Sequence, residues 1–145
     1  MKKNFSVADA VAIQVDNDYY DLHNDFDLSL FEADFAKKVL RLTFSRVRES
    51  EKIERGTDIT LTFHEVDCLM VSAGVLGKLI REIVEIGYKS PDDFDHDWLM
   101  KEGQTSIGDH FFLRLAGDEF IRVHSKEVQM VSESQRVNGV DGVKA

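Results

Sequence analysis

Apolar and polar residues alternate most cleanly in two stretches, KVLRLTFSRV at 38–47 and DITLTFHEVDCLMV at 58–71. In the first, Leu40, Leu42 and Phe44 share one face, with Val39, Arg41, Thr43 and Ser45 opposite. In the second, Ile59, Leu61 and Phe63 share a face, with Thr60, Thr62 and His64 opposite. A period of two is the signature of a half-buried strand, and the pair forms the expected centre of an antiparallel sheet. After Glu65 the apolar parity changes to Val66, Cys68 and Met70, while Leu69 and Val71 keep the other face apolar. That break predicts a β-bulge near His64-Glu65 or a strand end buried on both faces.

The neighbouring segments fall into place around this pair. Phe26, Leu28 and Leu30 alternate with Asp27 and Ser29, so 26–33 reads as a strand joined to 38–47 by a short hairpin turn. Residues 48–57 (RESEKIERGT) read as an exposed loop. Val75, Leu76, Leu79, Ile80, Ile83 and Ile86 recur at helical spacing, which predicts a helix over 73–86 with Gly87 as its C-terminal cap. Ser90-Pro91-Asp92-Asp93 has the chemistry of a helix start, predicting a short helix to about Lys101, with Phe94, Trp98 and Leu99 on one side. Residues 110–115 and 119–125 form a hairpin around Ala116-Gly117-Asp118, and Val128, Met130 and Val131 extend it or add an edge strand. Residues 4–15 fit a helical face and a strand equally, and a short helix or turn followed by a short strand is the expectation. The result is a single α+β domain over 1–131: a mainly antiparallel sheet of about five to seven strands with one or two helices packed on one face. Residues 132–145, polar and with two glycines, read as a flexible tail.

Charge adds a second layer. The net charge is −9 and it is uneven. Between Asn4 and Ala36 there are eight acids and no Lys or Arg, and Asp92, Asp93, Asp95 and Asp97 form a second acidic run. Such crowding opposes phosphate contact and argues against nucleic acid as a partner. A protein with a basic surface is the natural complement. The candidate partner-binding residues are Asp16, Asp18, Tyr19, Tyr20 and Asp21 in the first run, and Asp92, Asp93, Asp95 and Asp97 in the second. Tyr19, Tyr20 and Trp98 either anchor these runs to the core or form an aromatic hot spot within them.

Catalytic signatures are sparse. Asp16, Asp18 and Asp27 occupy calcium-loop positions 1, 3 and 12, but Tyr20 replaces a ligand and Asp21 stands where the turn needs Gly. There is no phosphate loop, paired-Cys metal spacing, HExxH or GxSxG. The histidine and carboxylate neighbours in DDFDHDW diverge along the chain and make no chelate, so no metal or other cofactor is expected. The lone Cys68 reads as a small buried hydrophobe, and it lies four positions along the strand from His64, roughly 13 Å away and too far to pair. His64, Glu65 and Asp67, at the parity break, are the one candidate pocket in the scaffold. No secretion signal or membrane span is visible, which makes the cytoplasm the expected location.

Leu42-Thr43-Phe44 with Val47, and Leu61-Thr62-Phe63 with Val66, form a repeated strand pattern. In that pattern and its flanking hairpins the chain resembles several families of small bacterial proteins of unknown function, including immunity proteins of polymorphic toxin systems. The resemblance implies no functional residues. The leading expectation is therefore a non-catalytic acidic module that binds a basic protein. A small-ligand or metal-dependent enzyme with a pocket near His64 and a self-assembling structural protein are the alternatives.

Overall fold

The structure is a computed structural model that describes residues 1–47, 58–77 and 82–132. Its strands in chain order are β1 (Lys2–Lys3), β2 (Ser6–Ala8), β3 (Ala12–Val15), β4 (Asp18–Asp21), β5 (Phe26–Asp34), β6 (Val39–Arg46), β7 (Asp58–Val71), β8 (Ile83–Lys89), β9 (His110–Leu115) and β10 (Glu119–Ser132). Two short helices interrupt them, α1 (Leu22–Asp25) and α2 (Ala73–Gly77). The main sheet has the order β5-β6-β7-β10-β9-β8, with β1 added parallel to β10. The strands β2-β3-β4 form a second, smaller sheet.

The paired 14-residue strands β7 and β10 form a ribbon through the middle. Hairpin β5–β6 extends one end of the ribbon through β7, and hairpin β8–β9 extends the other through β10. Midway, Glu65 adopts a left-handed φ of 57°, and the register shifts so that Val66 faces Ser125 while Cys68 faces His124, leaving Asp67 as the extra residue. The parity break read from the sequence is thus a bulged bend. Bending brings the outer strands together, where Asp27 and Glu82 form an isolated bridge. The enclosed space is filled by Phe26, Leu40, Leu42, Phe44, Ile59, Leu61, Phe63, Phe111, Ile121 and Val123, all at most 1% exposed, with Phe5, Val7, Ile13 and Leu22 packed in from the small sheet and α1.

An antiparallel sheet with minor helical content is consistent with the α+β expectation, but the helices need correction. The helix expected over 73–86 is one turn of α2 followed, beyond the undescribed 78–81, by strand β8. The cause is a register shift between Ile83 and Glu85 that leaves Val84 pointing outward. Ile83, Ile86 and Tyr88 then share the core face at spacings of three and two, which imitates part of a helical stripe. Gly87 is inside β8 and caps nothing. The helix expected from Ser90 is absent as well. Residues 4–15 form a hairpin in which Asp9 and Ala10 both have positive φ (55° and 59°) and Val11 N–H donates to Ala8 C=O at 3.1 Å. Helices covering one face of the sheet are therefore not present among the described residues. The expected loop over 48–57 lies outside the described residues, as does the expected tail from 133 onward. Ser132 itself is a buried end residue of β10.

Candidate functional site

On β10, Ile121 and Val123 face the core, so Phe120, Arg122 and His124 face the reverse side of the sheet. Phe112 and Arg114 on β9 join them there. These residues carry the 90–98 loop, and Arg122 organises it. Its side chain is fully buried, and its five N–H groups are all taken. Nε donates to His110 Nδ1 at 2.9 Å. One terminal nitrogen donates to the Asp93 carbonyl at 2.6 Å and contacts His96 Nε2 at 2.9 Å. The other reaches the carbonyls of Ser90 at 3.0 Å and Pro91 at 3.4 Å. The Phe94 ring lies over the guanidinium, 4.7 Å away.

Two further cations complete the seat. Lys89, also fully buried, donates to the Trp98 carbonyl at 2.6 Å, pairs with Asp93 at 3.1 Å and sits 3.5 Å from the Trp98 ring centroid. Arg114 donates to the His96 carbonyl and pairs with Glu85 at 3.2 Å. The His96 ring packs against the stacked pair Phe112 and Phe120, with centroids 4.8 and 4.6 Å away.

This explains why the loop is not a helix. Its carbonyls are bound by Arg122, Arg114 and Lys89 instead of by N–H groups four residues on. Its aspartates accept from nearby backbone, Asp93 from Asp95 N–H at 2.9 Å and Asp95 from Asp97 N–H at 3.1 Å. Such local bonds compete with helix formation. The bond from Asp95 N–H, helped by Lys89, holds the Asp93 carboxyl below its ordinary pKa. Burial, followed by the charges of Arg122, Lys89 and Arg114, lowers His96, with Asp93 opposing. Burial, Arg122 and His124 lower His110, with Asp67 and Asp109 opposing.

Among the expected binding residues, Asp92, Asp95 and Asp97 are exposed on this loop and Asp93 is turned inward to Lys89. Beside them stand the half-exposed Trp98 (48%) and Phe94 (63%). The other acidic run belongs to the small sheet, which packs against the core side. Asp16 and Asp18 are exposed at the β3–β4 turn. The Tyr19 hydroxyl donates to Asp9 at 2.8 Å, Tyr20 packs edge-on to Phe26, and Asp21 caps α1 by accepting from Asn24 N–H at 3.0 Å. The main sheet therefore stands between the two runs.

The expected pocket residues also separate. His64 lies across from Val39 and Glu127, and Glu65 makes an exposed 3.5 Å pair with Lys126. Asp67 instead meets His124, Oδ1 to Nδ1, at 2.6 Å. It lines a cleft of about 170 Å³ with Cys68, Val66, Leu69 and the 33–40 hairpin tip, and His64 and Glu65 do not line it. Cys68 is half-buried on the outer face, not enclosed in the core as the sequence suggested. Among the described residues no group of three or more His, Cys, Asp or Glu could hold a metal ion, and no helix is long and apolar enough to cross a membrane.

Sequence reasoning missed Lys89, Arg114 and Arg122. The available signal was a cation at alternating position among aromatics, as in FFLRL and FIRVH. Compared with known protein families, with curated proteins and with solved structures, the chain matches none.

Proposed function

We propose that this chain is a non-catalytic binding module that presents the 92–98 loop to a protein with a basic surface. An immunity protein or inhibitor that blocks a positively charged, nucleic-acid-handling site fits this chemistry. The observation that carries the reading is the pinned loop. Three cations hold its backbone from below, while Asp92, Asp95, Asp97, Phe94 and Trp98 remain exposed above. A preformed loop loses little conformational freedom on binding. Aromatics flanked by carboxylates supply both an anchor and steering toward a cationic partner. Asp16, Asp18, Tyr19, Tyr20 and Asp21 extend the negative field from the small sheet without sharing the loop's surface.

Asp92 and Asp97 are the informative positions, because among the described residues their carboxylates make no hydrogen bond or ion pair. Capture from the native cell should retain a cationic protein that elutes with salt. The D92N/D97N and F94A variants should each recover at least tenfold less of it. Equal recovery by wild type and both variants would remove the loop from the interface.

A second reading, a small-ligand enzyme, draws on the Asp67–His124 pair beside its cleft. A carboxylate on Nδ1 leaves Nε2 as a possible base. Turnover of a substrate that is lost in His124→Ala, with the fold intact, would favour it over the binding module.

A further inference from the structure

The loop is seated by a cation that uses two histidines as acceptors. None of the five acceptors around Arg122 is a carboxylate: three are carbonyls, and two are the ring nitrogens His110 Nδ1 and His96 Nε2. A ring nitrogen accepts only while it carries no proton. His110 is therefore neutral with its proton on Nε2, and His96 neutral with its proton on Nδ1. Protonation of either ring turns N–H toward N–H and places a second positive charge about 3 Å from a buried guanidinium.

We propose that the 90–98 loop is an acid-released element, held on the sheet at neutral pH by unprotonated His96 and His110 and freed when both take up a proton. This deepens the binding reading by giving its loop a regulator, and only the consequence for a partner rests on that reading. The charged surroundings favour the direction. His96 faces Arg122, Lys89 and Arg114, with Asp93 as its acid, and Asp93 is engaged by Lys89. His110 faces Arg122 and His124, opposed by Asp67 and Asp109. Asp67 is engaged by His124, and Asp109 accepts from Thr105 and Ser106. Glu85 is occupied by Arg114. Each of these acids already has a partner, which limits what it can give to a new imidazolium.

Losing the acceptors frees the carbonyls of Ser90, Pro91 and Asp93 and pushes the His96 ring off the stacked Phe112 and Phe120. Trp98 then leaves Lys89. Trp98 is the only tryptophan, so its emission reports the loop alone.

The test follows Trp98 emission and far-ultraviolet circular dichroism of the full chain from pH 8 to pH 4.5, with no partner present. Emission should shift to the red as pH falls below about 6.5, the ordinary histidine value, while the dichroism stays constant. The H96Q/H110N double variant keeps an acceptor at each position without a titrating ring, and its emission should stay flat. Imidazole proton resonances of the wild type should titrate together with the emission, a check that needs no variant. The proposal is overturned if the double variant keeps the transition, if wild-type emission does not change, if dichroism collapses with the emission, or if the emission moves while both rings remain neutral. Failure of the D92N/D97N experiment leaves this result untouched, so the two ideas fail separately.

Discussion

Lys89 Nζ lies 3.5 Å from the centroid of the Trp98 ring and donates to the carbonyl of the same residue at 2.6 Å. One buried ammonium thus holds both the side chain and the backbone of the loop's far end, and Asp93 supplies its counter-charge. A Lys89→Met substitution keeps the stem and removes all three interactions. Leaving the Trp98 carbonyl without its donor and Asp93 without its ammonium partner should cost about 2–4 kcal/mol. Urea denaturation measures the loss, and Trp98 emission should shift in the folded protein. A stability within about 0.5 kcal/mol of wild type would show that Lys89 is not an anchor.

Gly87 marks where the loop's return crosses β8. A Cβ at this position would stand 2.7 Å from Leu99 Cβ and 2.8 Å from the Met100 carbonyl oxygen. Met100 is paired with Tyr88 by two backbone bonds of 2.9 and 3.0 Å, so it cannot retreat without breaking them. Gly87→Ala should destabilise by about 1–3 kcal/mol, as overpacking does. Hydrogen exchange should quicken at the Tyr88 and Met100 amides. Unchanged exchange at both amides would mean that the 98–100 segment yields freely.

The strands were legible because their packing obeys a local rule. Phe26 and Leu28, Leu40 to Phe44, Ile59 to Phe63, and Phe111 to Leu115 alternate about the core, and the parity break after His64 announced the bend in β7. The loop chemistry was not legible, because Arg122 acts on residues about 30 positions away in sequence. Ser90 to Asp93 carries the signals of a helix start, and only the sheet beneath shows that cations have claimed its carbonyls. The misread β8 has a local cause, since one bulged residue converts a period of two into an apparent helical step. Asp67 was flagged for the right reason, its place at the bulge, but its partner His124 comes from a distant strand.

Glu102 gives the fold an acid-sensitive joint of a different kind. Its Oε2 pairs with Lys3 at 2.7 Å, and its Oε1 accepts from the Tyr88 hydroxyl at 2.6 Å and from Val7 N–H at 2.9 Å. Burial pushes its pKa up, but Lys3, Tyr88 and Val7 together outweigh burial and leave it below its ordinary 4.5. The folded value is depressed, so the unfolded chain binds the proton more readily. Glu102 thus contributes stability that is present above pH 4.5 and lost as pH falls through the folded value. Glu102→Gln should lower stability at pH 7 by about 1–3 kcal/mol, and the difference from wild type should shrink below pH 4.5. A deficit that stays constant from pH 7 to pH 3 would mean that the charge of Glu102 contributes nothing.

The turn between β2 and β3 makes a prediction of opposite sign. Asp9 and Ala10 occupy both central positions of the β-turn that Val11 N–H closes onto Ala8 C=O, at φ of 55° and 59°. That geometry favours Asn-Gly, because only Gly enters it without a Cβ penalty. For Ala the left-handed conformation costs roughly 1–2 kcal/mol, while Gly adds about 0.5–1 kcal/mol of backbone entropy to be lost on folding. The first term is the larger, so Ala10→Gly should stabilise the protein by about 0.5–1 kcal/mol. The Ala10 carbonyl accepts from Ile86 N–H at 2.7 Å, so a tighter turn should also slow hydrogen exchange at Ile86. Thermal unfolding and exchange measure the two effects. A lower melting temperature in Ala10→Gly would show that the turn carries no strain to relieve.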